Sequence, residues 1–207
     1  MTDASIVHVV EDDASTRRAL MRVLTATGFE SRGYAAAAEF LLSDRGDCVS
    51  CLILDVGLPG LSGVELQHAL ARDGDRIPVI FLTGRGDVRM TAEAMKAGAV
   101  DFLTKPVKRD VLLAAVREAL HRDRSERVRV DGARALQARF EKLTARERQV
   151  LQHVIHGKLN KQIAHEIGTS VRTVKAHRAQ VMRKMDAHSI ADLVATAAQL
   201  KETSAVR

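Results

Sequence analysis

Through residue 120, short apolar runs alternate with stretches whose apolar residues recur every three or four positions. The runs lie near 5–10, 30–34, 51–55, 78–82 and 100–104, each of strand length. Between them, Ala14 to Thr27 places Leu20, Val23 and Leu24 on one helical face and stops at Gly28, a residue suited to ending a helix. Further helices are expected over Ala36 to Leu42, Gly63 to Ala71 and Met90 to Ala97, the last closing on Gly98. Another begins near Asp110, a suitable N-cap, and carries Val111, Leu112, Ala115, Val116 and Ala119 at helical spacing. Strands alternating with helices predict βα units around one parallel sheet.

The pattern then changes. Residues 122–142 are mostly charged and show no apolar face until Leu136 and Phe140, which predicts a charged helical linker after a first domain over 1–121. Gly132 and the β-branched Val128 and Val130 weigh against an unbroken helix there. From Leu143 to the end every segment is helical, and residues 143–207 should form a four-helix domain. Thr144 with Glu147 makes a capping box ahead of Val150, Leu151, Val154 and Ile155, and Gly157 ends that helix. A short helix over Asn160 to Ile167 ends at Gly168, Val171 to Met185 follows Thr169-Ser170, and Ser189 caps the last helix.

Charge sharpens this division. Residues 1–121 carry 14 Lys+Arg against 17 Asp+Glu, and residues 122–207 carry 18 against 9, so the first part is −3 and the second +9. A basic helical segment of that size is the electrostatic footprint of a nucleic-acid binder. Only Phe140 supplies an aromatic ring beyond residue 121, which argues against base stacking on single strands. No run of about 18 apolar residues occurs and the chain opens on Thr2-Asp3, so a cytoplasmic protein without membrane contact is expected. Cys48 and Cys51 form a C-x-x-C, but without a second pair for zinc a structural role is favoured.

Candidate chemistry sits where the apolar runs end. Asp12 and Asp13, preceded by Glu11, follow the first run; Asp55 ends the third, Thr83 follows the fourth and Lys105 the fifth. In a parallel sheet these groups converge at the carboxyl edge, where open α/β sheets bind ligands. A carboxylate such as Asp55 that attacks a phosphoryl group needs negative charge neutralised, and Asp12 and Asp13 are the expected ligands for Mg²⁺, with Mn²⁺ as a substitute. Thr83 and Lys105 are expected to donate to phosphoryl oxygens. Each residue alone has a plainer reading, such as Asp12 or Asp13 capping the first helix. Their joint placement favours phosphoryl transfer.

In the basic half, two helices joined by a tight turn over Asn160 to Met185 fit a helix-turn-helix. Val174, Val181 and Met185 mark the buried side of the second helix. Lys175, Ala176 and Ala179 mark the opposite side, with Gln180 and Arg183 at its margin. Lys175 suits a guanine edge and the alanines suit thymine methyls, whereas Thr173, Asn160, Lys161 and Arg183 suit phosphates.

Residues 4 to 120 resemble a response-regulator receiver domain through Val10-Glu11-Asp12-Asp13, Leu54-Asp55, Leu58-Pro59-Gly60-Leu61-Ser62-Gly63, Thr83-Gly84 and Phe102-Leu103-Thr104-Lys105-Pro106. Leu143-Thr144-Ala145-Arg146-Glu147, Asn160-Lys161-Gln162-Ile163-Ala164 and Thr173-Val174-Lys175-Ala176-His177-Arg178 resemble the LuxR-type DNA-binding domain. Together the chain is similar to a NarL/FixJ-type response regulator. The resemblance implies a flavodoxin-like (βα)5 sheet in the order 2-1-3-4-5, with Asp55 phosphorylated by a sensor histidine kinase. It also implies Mg²⁺ held by Asp12, Asp13, Asp55 and the Gly57 carbonyl, and Thr83 with Phe102 as switch residues. The resemblance also places Gly57 and Arg85 where side chains in the family influence access of hydrolytic water. DNA contact falls on Lys175, Ala176 and Ala179, and dimerisation on Ile190, Leu193, Val194 and Ala197 in the final helix. Double-stranded promoter DNA and RNA polymerase are the further partners implied. Two competing functions use parts of the same pattern: an aspartate-nucleophile phosphatase or phosphotransferase, and a phosphorylation-independent binding module.

Overall fold

The structure, a computed structural model, describes residues 5–84, 95 and 98–205, with side chains up to residue 200. Arg85 and, apart from Met95, the expected helix over Met90 to Ala97 lie outside the described residues. Contacts divide the chain into two units, Met1–Arg127 and Val128–Arg207.

The first unit holds five parallel strands: β1 (Ser5–Val10), β2 (Glu30–Tyr34), β3 (Val49–Asp55), β4 (Val79–Thr83) and β5 (Asp101–Thr104). Their order is β2-β1-β3-β4-β5, the flavodoxin-like arrangement. Helices α1 (Ala14–Ala26), α2 (Ala37–Leu42) and α3 (Gly63–Arg72) alternate with the strands, and α4 (Arg109–Glu141) follows β5. β3 is apolar along its length because both sheet faces are covered. Cys51 and Ile53 join the cluster of Leu20, Leu24, Leu112 and Val116, whereas Leu52 and Leu54 join Phe40, Leu66 and Leu70 on the other face. Both cysteines are free, and burial pushes the Cys51 thiol pKa up, as suits a packed side chain.

The charged segment continues the helix that follows β5, past Gly132 and the β-branched Val128 and Val130: α4 runs unbroken for 33 residues. A glycine costs about 1 kcal/mol in a helix interior. Favourably oriented i,i+4 pairs offset it, Glu118 with Arg122 at 2.8 Å and Asp123 with Arg127 at 2.7 Å. The buried Asp123 also accepts from the Ser50 amide at 2.9 Å, tying the helix to the amino end of β3. The boundary between units falls inside α4, and Leu136 on its last part is buried in the second unit's core.

That second unit contains α5 (Ala145–Ile155), α6 (Asn160–Glu166), α7 (Val171–Met185) and α8 (Ile190–Ala205) around Leu143, Val150, Leu151, Ile163, Val174, Val181, Met185 and Leu193. The capping box forms as expected: Thr144 Oγ1 accepts from the Glu147 amide, and Glu147 accepts from the Thr144 amide at 2.7 Å. The same buried carboxylate takes Lys184 Nζ at 2.6 Å, so it locks α5 to α7 as well. This ion pair holds the Glu147 carboxyl below the usual range. Gly168, at φ +67°, makes the turn between α6 and α7 where a side chain would be strained. Among the described residues, no helix is long and apolar enough to cross a membrane.

Candidate functional site

Functional groups collect at the carboxyl edge of the sheet because each follows or ends a strand. Glu11 comes directly after β1, its amide donating to the Tyr34 carbonyl of β2 at 3.1 Å. Asp55 ends β3 and Thr83 ends β4, and the Lys105 amide donates to the Thr83 carbonyl at 2.7 Å. Glu11, Asp55 and Thr83 are buried, and Asp12 is exposed.

Lys105 Nζ stands 2.6 Å from Glu11 Oε2 and 3.2 Å from Asp55 Oδ2. Burial works against the lysine's charge, but the two carboxylates outweigh it and hold its pKa above the ordinary value. Glu11 shifts the other way from a typical ion pair: burial, aided by the Asp55 charge, raises its pKa against the pull of Lys105. Such opposed pressures on neighbouring groups are common at functional sites.

The acid that joins Asp12 and Asp55 is Glu11 rather than Asp13. One oxygen from each of Glu11, Asp12 and Asp55 lies within 4.8 Å of the others. Asp13 is instead the N-cap of α1, its Oδ1 accepting from the Thr16 amide at 2.6 Å, which holds its carboxyl below the usual range. The cause is register. β1 stops at Val10, so residue 11 closes the strand and residue 13 opens the helix. The sequence carried a signal for this, since Asp13 stands where an N-cap three residues before Thr16 belongs. Three carboxylates beside a lysine form a hard-oxygen donor set that fits Mg²⁺.

Around this cluster, a Cβ at Gly57 would lie 3.8 Å from Asp55 Oδ2, so position 57 faces the carboxylate. Phe102 pairs with Phe81 in register and is half-buried, with ring centroids 6.0 Å apart.

On the basic unit, Val174, Val181 and Met185 are buried as their spacing predicts, and Lys175, Ala176 and Ala179 are exposed. Lys161 and Arg183 are exposed too, Arg183 donating to Gln180 Oε1 at 2.6 Å. The Thr173 amide donates to Ser170 Oγ at 3.1 Å, and the two hydroxyls are 2.9 Å apart, so Thr173 belongs to the cap of α7. Asn160 Oδ1 accepts from Arg178 Nη1 at 2.7 Å. That bond ties α6 to α7, a use for Asn160 that its placement at a helix start did not reveal.

In the final helix, the four residues of the expected dimer stripe differ in exposure. Leu193 and Ala197 are buried against their own unit, whereas Ile190 and Val194 are 49% and 39% exposed, so only the latter two are open to a partner. Residues at helical spacing share one side of a helix, but α8 turns part of that side inward.

Comparison with known proteins agrees with this geometry. Residues 7–117 match the family described as response regulator receiver domain, and residues 141–197 match bacterial regulatory proteins of the luxR family. The chain is 48% identical to nodulation protein W of Bradyrhizobium diazoefficiens over 93% of this chain and 86% of that one. It is 42% identical to the transcriptional regulatory protein FixJ of Rhizobium meliloti over 94% and 95% of the two chains. Among solved structures, the response regulator StyR superposes with a TM-score of 0.88 at 42% identity, covering 95% of this chain and 99% of that one. The strand order, the acidic edge and the helix-turn-helix thus fall on two family matches in one chain, which belongs to the two-component response regulators that join a receiver to a LuxR-type DNA-binding domain.

Proposed function

We propose that Asp55 accepts a phosphoryl group from a sensor histidine kinase, and that this modification switches binding to double-stranded promoter DNA. The observation that carries the reading is Lys105 Nζ held between Asp55 and Glu11 inside a three-carboxylate cluster at the sheet's carboxyl edge. In the transfer, an Asp55 oxygen bonds to phosphorus, the P–N bond of the kinase's phosphohistidine breaks, and the leaving imidazole takes up a proton. Glu11, Asp12 and Asp55, with the Gly57 carbonyl, would hold Mg²⁺, which would supply neutralising charge for the carboxylate and phosphoryl oxygens. Lys105 exchanges its contact with Asp55 for a phosphoryl oxygen, and the Thr83 hydroxyl donates to another.

Phosphoryl contacts that favour one arrangement of Thr83 and Phe102 would shift the receiver's population between two surfaces. The output is carried by Lys175, Ala176 and Ala179 at base edges, with Lys161 and Arg183 at phosphates. Two chains paired through Ile190 and Val194 suit a two-fold site, and at a promoter the target of the bound dimer is RNA polymerase. The reading places the protein in the cytoplasm with its DNA.

Incubation with radiolabelled acetyl phosphate and Mg²⁺ tests the site. The expected result is a hydroxylamine-sensitive label that falls to background in Asp55→Asn while the melting temperature is kept. Full labelling of a folded Asp55→Asn variant defeats the assignment.

A further inference from the structure

We propose that Arg17 is a positioning residue for the cation site, setting the direction of the Asp12 carboxylate through the main chain. The inference rests on the reading that Glu11, Asp12 and Asp55 hold Mg²⁺. Arg17 lies on α1, and its Nη1 donates to two successive carbonyls, Glu11 at 2.5 Å and Asp12 at 3.2 Å. These carbonyls belong to the two peptide planes that flank the Asp12 Cα. Because a peptide unit is rigid, fixing both planes fixes φ and ψ at residue 12 and so the direction of its Cβ. Glu11 is held independently, by its amide on Tyr34 and its carboxylate on Lys105. Asp12 is exposed, so the placement of its carboxylate depends on its backbone.

A second observation, on β2, points to the same residue. A Cβ at Gly33 would meet Arg17 Cδ at 3.2 Å and Cγ at 3.3 Å, and Met21 Sδ at 2.6 Å. Glycine inside a strand weakens it and marks a close approach. Here the nearest approaching group is the Met21 thioether, and beside it the Arg17 stem passes over Gly33. The glycine at 33 thus leaves room for the Arg17 stem, along with Met21, on the path by which Arg17 reaches the carbonyls of residues 11 and 12.

Titration of the full chain with Mg²⁺ alone, by calorimetry and without phosphodonor, tests this, with the melting temperature in EDTA recorded for each variant. Partners that orient metal ligands typically account for about 10- to 100-fold in affinity. Arg17→Ala should therefore weaken Mg²⁺ binding by about tenfold or more, and Gly33→Ala should weaken it less by displacing the stem. Arg18→Ala, which removes a neighbouring exposed charge, should bind as the unaltered chain does. Arg17→Lys keeps the charge on a shorter side chain with less reach to the two carbonyls, and serves if the alanine variant does not fold; intermediate affinity is expected. A lower melting temperature in EDTA with unchanged Mg²⁺ affinity in Arg17→Ala or Arg17→Lys overturns the proposal. Failure of the underlying reading looks different: the unaltered chain takes up no Mg²⁺, or Asp12→Ala binds it undiminished.

Discussion

The receiver edge and the recognition helix organise function in opposite ways. At the edge, Glu11, Asp55, Thr83 and Lys105 come from four strand ends far apart in sequence, and three of them are buried. Lys105 bridges Glu11 and Asp55, and the charge states of Glu11 and Lys105 depend on these neighbours, so the site behaves as a unit. On α7, Lys175, Ala176 and Ala179 follow one another on a single exposed helix face, and none needs another to hold its position. Buried convergence suits chemistry that is on or off, whereas an exposed array suits affinity built from separate contributions.

Substitutions can break that contrast, beginning with the largest effect. Leu193→Ala should cost about 2–5 kcal/mol of stability in the helical unit, because it opens a cavity at a fully buried site. Ile190→Ser should stay within about 0.5 kcal/mol and lower only the dimer fraction. Chemical denaturation and sedimentation of the full chain check both. Equal stability losses would return Ile190 to the core and weaken the pairing surface.

On the DNA side, Lys175→Ala should weaken promoter binding by about 1–3 kcal/mol and relax preference at one base position. Lys161→Ala should weaken all duplexes alike and reduce the salt slope by about one. Fluorescence anisotropy across a salt series separates the two. A loss in the double variant far beyond the sum of the single losses would mean that this face, too, acts as a unit.

A smaller effect concerns His8, buried on β1 with its Nδ1 3.0 Å from the Tyr34 hydroxyl. Burial, then Arg45 and Arg32, push its pKa down to about 4. Between the ordinary value of about 6.5 and that depressed value, the unfolded chain binds a proton that the folded chain refuses. Stability contributed by neutral His8 is thus present above about pH 6.5 and is lost as pH falls toward 4. Denaturant midpoints across that range should decline less steeply in His8→Gln than in the unaltered chain, and parallel curves would remove His8 from the account.

What could be read from the residues alone divides along the same line. Asp55, Thr83 and Lys105 were legible because each ends or follows an apolar run, and Val174, Val181 and Met185 because a helix that packs on one side repeats that way. Glu11 and Asp13 were not distinguished. Three consecutive acids differ only in their offset from the strand end, and it is the helix's demand for a cap that takes Asp13 out of the cluster. Ile190 and Leu193 look alike in sequence, and only the neighbouring helices decide which is covered. The unbroken α4 was hidden for a related reason. Propensity at Gly132 is local, whereas the ion pairs and the Asp123 contact with Ser50 depend on what the helix packs against.

The central claim is that a covalent change at Asp55 governs DNA binding by the second unit. The direct test is promoter affinity relative to random duplex at moderate salt, before and after treatment with acetyl phosphate and Mg²⁺, for the unaltered chain and for Asp55→Asn. Preference for promoter DNA should rise on treatment of the unaltered chain and stay put in Asp55→Asn. An equal rise in both, or no preference in either state, would contradict it.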